Sequence, residues 1–242
     1  MNFKDIFATA LFTRRCKWCG EVTDVREEVC ESCKNTLSRT DGEVCLYCGW
    51  KIEDCVCNKQ KHFYKYICSP FYYEGAAQKA ILRLKSEGEA EVAEMLADEM
   101  SECLKERFDG YDFEICTSVP SSKQSLKERG FNQSELLAKA VSENSGIPYA
   151  PVLKKLRDTE PQHSLPRIKR SGNLLGVFSL NEACETDITD MRILLIDDIC
   201  TTGATLNECA KTLLIGGAAE VFCLTAAVTR RNKNKSLPGK KC

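Results

Sequence analysis

Two adjacent acids and a threonine-rich turn lie together in the segment 192–205, which reads RILLIDDICTTGAT. The apolar residues 193–196 predict a buried parallel strand, which would deliver Asp197 and Asp198 to its C-terminal edge. Paired carboxylates at that edge suit the two hydroxyls of a ribose ring. Because two neighbouring acids repel each other and lose hydration there, an ordinary strand-to-helix turn explains them poorly.

The turn after the acids is made of small and hydroxyl-bearing residues, namely Thr201, Thr202, Gly203, Ala204 and Thr205. Because it leads into a helix, its free backbone N–H groups and its hydroxyls would converge on an anion such as a phosphate. The whole segment resembles the phosphoribosyl-pyrophosphate signature of type I phosphoribosyltransferases. The sequence contains neither a GxxxxGKS/T loop nor a GxGxxG turn, which argues against a P-loop kinase and a dehydrogenase.

Half of the sixteen cysteines fall in the first 57 residues, as three CxxC pairs and one CxC pair: Cys16, Cys19, Cys30, Cys33, Cys45, Cys48, Cys55 and Cys57. Each pair can present two thiolates to one metal ion from a tight knuckle, so the spacing predicts two structural zinc sites. So short a segment has too little apolar content to fold without them. A disulfide framework is the alternative, although no export signal is evident.

A second polar loop follows the predicted strand 113–119 and reads VPSSKQSLKERGFNQS. The carboxyl ends of parallel strands meet at one edge of a sheet, so this loop is expected beside the acid pair. Its pyrophosphate-binding candidates are Val119, Pro120, Ser121, Ser122 and Arg129. A basic surface loop without function is the alternative.

A third segment, 154–178, is long, basic and interrupted by Pro161 and Pro166, which prevent a regular helix. Long irregular loops in compact domains are usually functional, so the segment is interpreted as a lid. Gln162, Arg167 and Arg170 are candidates for excluding water from the activated ribose. A plain connecting loop is the alternative.

Strand and helix patterns alternate through the rest of the chain. The predicted elements are strands at 71–73, 113–119, 193–196 and 221–228 and helices at 76–85, 89–107 and 133–144, with Asn132 and Glu135 as a capping box for the last helix. This alternation predicts an α/β fold, an open parallel sheet covered by helices on both faces, with ligands bound beyond the strand ends.

Length and composition place limits on the protein. Its 242 residues allow a metal-binding module at 1–60, a main domain at 61–230 and a basic tail at 231–242. A net charge of −1 gives no general argument for nucleic acid binding. No apolar run reaches membrane-spanning length and no secretory signal is evident, so a cytoplasmic protein with no membrane insertion is expected.

Together these motifs identify the chain as a member of the ComF family by resemblance. The resemblance rests on the double zinc ribbon, the VP turn, the RGFNQ string at 129–133, the pattern LRxTxxQxxLxxxxR at 156–170 and the signature IDDICTTGAT. It implies a type I phosphoribosyltransferase fold behind the zinc module. It also implies a part in DNA uptake during natural competence, with single-stranded DNA and a competence helicase as partners.

The resemblance further implies how a transferase site would work. Asp197 and Asp198 would hold the ribose hydroxyls, the loop 201–205 the 5′-phosphate, and the turn after Val119 the pyrophosphate, which Mg²⁺ neutralises as it leaves. The alternative is a single-stranded-DNA-binding module that keeps the fold but no longer turns over. Trp18, Tyr47 and Trp50 would then stack on bases, or they pack the zinc module instead.

Overall fold

The computed structural model describes residues 14–55, 57, 62–156 and 176–230. Its strands are β1 (Arg14–Arg15), β2 (Val22–Thr23), β3 (Val44–Cys45), β4 (Trp50–Lys51), β5 (Tyr66–Cys68), β6 (Phe71–Tyr72), β7 (Ile115–Ser118), β8 (Leu153–Lys155), β9 (Phe178–Leu180), β10 (Arg192–Cys200) and β11 (Glu220–Val228). Its helices are α1 (Glu31–Thr36), α2 (Gly75–Glu87), α3 (Ala90–Arg107), α4 (Lys123–Arg129), α5 (Gln133–Ser145) and α6 (Ala204–Ile215), with a 3-10 turn at Ile52–Asp54.

A parallel sheet forms the centre of the molecule. Its order is β5, β11, β10, β7, and β6 pairs with β11 further along the same edge. Every pair in it is parallel. β10 and β11 each run for nine residues because both are apolar and buried over most of their length. The C-terminal ends of β10 and β7 therefore lie at one edge, where open α/β folds bind ligands.

Helices cover both faces of this sheet. Leu194 and Ile196 of β10 pack in a cluster with α2, α3 and α5, whereas Ile193 and Leu195 pack in a second cluster with α6. Successive side chains of a strand point to opposite faces, so the two clusters lie on opposite sides of the sheet. The predicted architecture is confirmed.

The cysteine-rich segment contains two short antiparallel ribbons, β1 with β2 and β3 with β4. Trp18 is buried there and packs edge-on against Phe71 of the central sheet, with ring centroids 5.1 Å apart. An isolated antiparallel bridge also joins Arg39 to Phe71. Trp50 is buried as well, so both tryptophans pack the molecule and neither is displayed for stacking on a base.

Most predicted elements are found within a few residues of their expected bounds, but the strand at 193–196 is longer than predicted. β10 continues through both acids to Cys200, since β11 pairs with it as far as Val228. The expectation that Asp197 and Asp198 follow the strand is therefore wrong. Pairing with the neighbouring strand outweighs the low strand preference of aspartate.

The interpretation of 120–131 as a plain loop was also incomplete, because α4 lies within it. The Ser122 hydroxyl accepts a hydrogen bond from the N–H of Ser125 at 3.0 Å, and Gly130 ends the helix in the left-handed conformation. Both signals are present in the sequence. β5 was missed as well, because three residues are too few for a periodic pattern.

The predicted lid and tail fall largely outside the described residues. β8 and β9 pair antiparallel on the two sides of the segment 157–175, which includes Gln162, Arg167 and Arg170. The domain boundaries at 60 and 230 stay predictions. Within the described ranges, every helix is too short or too polar to cross a bilayer.

Candidate functional site

Asp197 and Asp198 lie near the C-terminal end of β10, and they face different neighbours. Asp197 is buried, and Ser134 of α5 donates a hydrogen bond of 2.7 Å to its Oδ1. The N–H of Asp198 donates a second hydrogen bond to the same oxygen, at 3.0 Å. The side chain of Asp198 is 14% exposed and forms an ion pair of 2.8 Å with Lys85.

The buried acid does not titrate like an ordinary aspartate. Burial raises the pKa of Asp197 from 3.8 to about 7, and the charge of Asp198 adds to the rise. The hydrogen bonds from Ser134 and from the Asp198 N–H, together with Lys85, act in the opposite direction. Near neutral pH the pair therefore carries fewer than two negative charges. A carboxyl so perturbed at a strand end is a mark of functional sites.

Lys85 comes from the last turn of α2, far from the acids in sequence. The helix ends at Gly88, whose φ of +63° is left-handed. A Cβ at Gly88 would lie 2.5 Å from the ring of Phe131, so only glycine allows this close approach. Phe131 belongs to the string 129–133. The end of α2 is thus packed against the segment that follows β7.

The threonine-rich turn leads directly into α6. Gly203 is the N-cap residue of the helix, with φ +74°, and has no side chain that could accept a hydrogen bond. The Thr202 hydroxyl accepts a hydrogen bond from the N–H of Ala204 at 3.4 Å. Tyr64 packs against the turn, its hydroxyl 3.0 Å from where a Cβ of Gly203 would lie. Because Gly203 has no side chain, the helix has no acceptor at its N-cap position beyond this bond from Ala204 to Thr202, and phosphate-binding turns also begin their helices with available N–H groups.

The turn after β7 is held beside β10 by hydrogen bonds. The N–H of Val119 donates to the carbonyl of Ile196 at 2.9 Å. Asn132 donates from its side chain to the Val119 carbonyl at 3.0 Å and accepts from the Ser121 hydroxyl at 2.8 Å. Asn132 precedes α5 but makes no side-chain cap, so the predicted capping box is wrong.

The two polar turns therefore share one edge of the sheet. The residues 119–122 lie directly after β7, and Thr201, Thr202 and Gly203 lie directly after β10. Arg129 is the last residue of α4 and is exposed. Of the predicted ligand-binding residues, Gln162 and Arg170 lie outside the described residues.

The eight N-terminal cysteines form two groups of four. One contains Cys16, Cys19, Cys30 and Cys33, and the other contains Cys45, Cys48, Cys55 and Cys57. In each group all four sulfurs lie within 4.8 Å of one another, and Sγ–Sγ distances include 3.7 Å for Cys19–Cys30 and 3.6 Å for Cys45–Cys57. Four sulfurs at about 2.3 Å around one zinc ion stand about 3.8 Å apart.

These separations fit zinc and are much longer than a disulfide bond of about 2.05 Å. Both groups could hold a zinc ion with four thiolates. The later cysteines Cys103, Cys116, Cys209 and Cys223 are buried core residues, and Cys200 is buried at the start of the threonine turn.

The second cysteine group lies against the threonine turn. A cavity of about 40 Å³ is lined by Cys48 and Cys57 of that group, by Thr201 and Thr202 of the turn, and by Tyr64. Pockets that enclose whole small-molecule ligands are roughly 300–1,000 Å³. This cavity has room only for a small group.

Three contributors to the site were not identified from the sequence. Lys85 and Ser134 reach the acids from two separate helices, and the Asn132 side chain holds the turn after β7 through hydrogen bonds to Val119 and Ser121. A periodic pattern shows which face of a helix is buried, but not which strand residue that face meets. Asn132 and Ser134 lie in or beside the RGFNQ string, which was the available signal.

Comparison with known proteins adds independent information. A family model described as "Phosphoribosyl transferase domain" matches residues 130–241. The chain is 32% identical over 199 residues to the competence protein ComFC of Streptococcus pneumoniae, covering 80% of this chain and 84% of that protein. It is 29% identical over 209 residues to the competence protein ComFC of Bacillus subtilis, covering 80% of each.

A shorter match extends to enteric bacteria. The DNA utilization protein YhgH of Salmonella typhi is 36% identical over 110 residues, which cover 44% of this chain and 47% of that protein. The sequence matches thus join a phosphoribosyltransferase domain to relatives that are named for competence and DNA use.

Proposed function

The chain belongs to the ComF family, and from that premise we propose that it binds phosphoribosyl pyrophosphate at the edge formed by β10 and β7. One observation carries the proposal: two acids and a threonine-rich helix start with glycine at its N-cap lie within one stretch of chain, beside a second polar turn. The acids suit a ribose diol, and the turn suits its 5′-phosphate.

Each group has a defined task in this proposal. Asp198 and Asp197 accept hydrogen bonds from the ribose 2′- and 3′-hydroxyls. The N–H groups and hydroxyls of 201–205 bind the 5′-phosphate. Ser121, Ser122 and the N–H groups of the same turn bind the pyrophosphate, with Arg129 close by. When bound together with the pyrophosphate at this turn, Mg²⁺ would supply neutralisation of its negative charge.

A transferase reaction at such a site needs positioning and charge stabilisation more than covalent chemistry. Loss of pyrophosphate leaves a ribose with oxocarbenium character, which nearby carboxylates stabilise. No side chain has to form a bond to the sugar. The predicted lid, 154–178 with Gln162, Arg167 and Arg170, is proposed to exclude water during that step.

Zinc at the two cysteine groups is part of the proposal. The four thiolates of each group replace the apolar core that so short a segment lacks. The first group would fix the region that contacts α2, and the second would fix the wall beside the threonine turn.

Binding of phosphoribosyl pyrophosphate can be tested by calorimetry on the wild-type chain and on Asp197→Asn and Asp198→Asn. We expect each substitution to weaken binding by roughly tenfold or more, because a charge-assisted hydrogen bond is replaced by a neutral one. Unchanged affinity in both variants would contradict the ribose role.

We also propose a role in DNA uptake during competence, which is supported by the names of the ComFC and YhgH relatives. A second candidate function follows from it: single-stranded DNA, which offers sugar and phosphate, would bind in the same site without turnover. Filter binding of labelled single-stranded DNA, with pyrophosphate as competitor, tests this candidate. Competition supports DNA in the transferase site, whereas binding that pyrophosphate leaves intact contradicts it.

A further inference from the structure

The ion pair between Lys85 and Asp198 has no counterpart in the sequence signature of the site. We propose that Lys85 is the pyrophosphate-directing residue: it pairs with Asp198 and turns to the pyrophosphate when a ribose diol takes its place on Asp198. The inference rests on the proposed binding of phosphoribosyl pyrophosphate and names a residue that this proposal did not use.

The geometry places Lys85 where a ligand must compete with it. Its Nζ lies 2.8 Å from Asp198 Oδ2, and the two side chains are 29% and 14% exposed. A ribose hydroxyl that donates to this carboxylate has to share it with the ammonium group or displace it. Since lysine is a point charge on a flexible four-carbon stem, displacement requires only side-chain rotation.

Charge balance supports the turning of Lys85 from Asp198 to the pyrophosphate. Asp197 is buried and its pKa is raised to about 7, so Lys85 and Asp198 form a nearly neutral pair beside a partly protonated acid. A diphosphate ester brings several negative charges to this edge. An ammonium released from Asp198 would meet that charge at once, whereas Asp198 without Lys85 would repel it.

The backbone that carries Lys85 is held against two parts of the site. Arg83, two residues earlier, donates to the carbonyl of Lys17, next to Cys16 of the first cysteine group, at 2.9 Å and forms an ion pair with Glu89. The end of α2 packs on Phe131, which follows the proposed pyrophosphate turn and α4. The helix is thus fixed, and its lysine side chain meets the acid pair from a helix end that also contacts the segment after the proposed pyrophosphate turn.

The experiment compares three probes by calorimetry in Mg²⁺: phosphoribosyl pyrophosphate, ribose 5-phosphate and inorganic pyrophosphate. Wild type is measured beside Lys85→Met, Lys85→Arg and the control Lys79→Met, which removes an exposed charge from the same helix. We expect Lys85→Met to lower the affinities for phosphoribosyl pyrophosphate and for pyrophosphate by roughly tenfold or more. Ribose 5-phosphate should bind as in wild type or more tightly, because its competitor for Asp198 is gone.

Lys85→Arg should retain most of the pyrophosphate affinity, and Lys79→Met all of it. A loss of ribose 5-phosphate binding equal to the loss of pyrophosphate binding overturns the inference, since Lys85 then merely holds Asp198 in place. Equal affinities of Lys85→Met and wild type for all probes overturn it as well. Wild type that binds none of the probes instead overturns the proposed function, and this inference with it.

Discussion

Ser134 and Asp197 are joined across the contact between α5 and β10. The Ser134 hydroxyl donates a hydrogen bond of 2.7 Å to Asp197 Oδ1, and the two residues are 63 positions apart in the chain. The bond stabilises the ionised form of a buried acid whose pKa is raised to about 7. A serine outside the recognised signature therefore helps to set the charge of the proposed ribose site.

Removing that hydroxyl should make sugar binding more dependent on pH. We expect Ser134→Ala to raise the pKa of Asp197 further, so that less of the carboxylate form is present near neutral pH and ribose 5-phosphate binds more weakly. The deficit should shrink at about pH 9, where the carboxyl is ionised in both proteins. Calorimetry at both pH values measures it.

The control for that variant is Ser145→Ala, at the other end of the same helix, where the hydroxyl donates to the Val141 carbonyl at 2.6 Å. It should leave the pH dependence as in wild type. A loss of affinity in Ser134→Ala that is equal at both pH values would show that the hydroxyl acts only on the position of Asp197.

Asp197 should also make the folded state less stable as pH rises. Its folded pKa of about 7 lies above the ordinary 3.8, so between these values the folded chain holds a proton that the unfolded chain has released. This contribution to stability is present at low pH and is lost as pH rises through that window, by an amount on the order of a few kcal/mol. Asp197→Asn cannot ionise and should escape the loss.

Thermal melting of wild type and Asp197→Asn at about pH 5 and about pH 8 measures this effect. The stability of the variant relative to wild type should be higher at about pH 8 than at about pH 5. Comparing the proteins at each pH cancels the effect of acid on the cysteine groups, which is common to both. A constant difference between the two proteins would mean that Asp197 titrates as an ordinary exposed acid.

Asn132 should stabilise the pyrophosphate turn without touching the ligand. Asn132→Ala removes the hydrogen bonds to Ser121 and to the Val119 carbonyl in a buried setting, which costs about 1–3 kcal/mol of unfolding free energy. Pyrophosphate affinity should fall with it. Asn144→Ala, which removes an exposed hydrogen bond to Asp98, is the control and should change neither quantity measurably. Denaturation measures the stability of both variants, and calorimetry measures their affinity for pyrophosphate. Normal pyrophosphate binding by Asn132→Ala would contradict the proposed role of Asn132 in holding the turn.

Metal content should follow the two cysteine groups separately. The wild-type chain is expected to bind two zinc ions, and Cys16→Ser one, because its first group keeps only three thiolates. Its melting temperature should fall, since Trp18 beside Cys16 packs on the central sheet. Cys184→Ser, outside both groups, should retain both ions. Atomic absorption spectroscopy measures the number of zinc ions per chain, and Cys16→Ser with two ions bound would refute the assignment.

The threonine turn should tolerate no side chain at Gly203. Gly203→Ala places a Cβ 3.0 Å from the Tyr64 hydroxyl in a left-handed conformation, so we expect a cost of about 1 kcal/mol or more and weaker ribose 5-phosphate binding. Gly110→Ala is the matched control, because it has φ +79° but nothing within 4 Å of the added Cβ. Gly110→Ala should lose stability but keep the wild-type affinity for ribose 5-phosphate. Equal phosphate affinities in both variants would argue against a role for this turn.

Much of the architecture follows from local sequence patterns. Apolar runs at 193–196 and 221–228 marked the two central strands, and the paired cysteines marked both four-sulfur groups. The helix α4 was missed although Ser122 and Gly130 signalled its two ends. The length of β10 was missed for another reason: its last residues are held by pairing with β11, which no local pattern contains.

The sequence alone determined which chemical groups stand at the strand ends, because strand periodicity, turn residues and cysteine spacing are properties of neighbouring residues. Only the tertiary structure decided that Ser134 donates to Asp197 and that Lys85 pairs with Asp198. These contacts depend on how α5 and α2 pack on β10, and burial in that packing raises the pKa of Asp197. Packing between elements far apart in the chain, and not local propensity, sets the charge of this site.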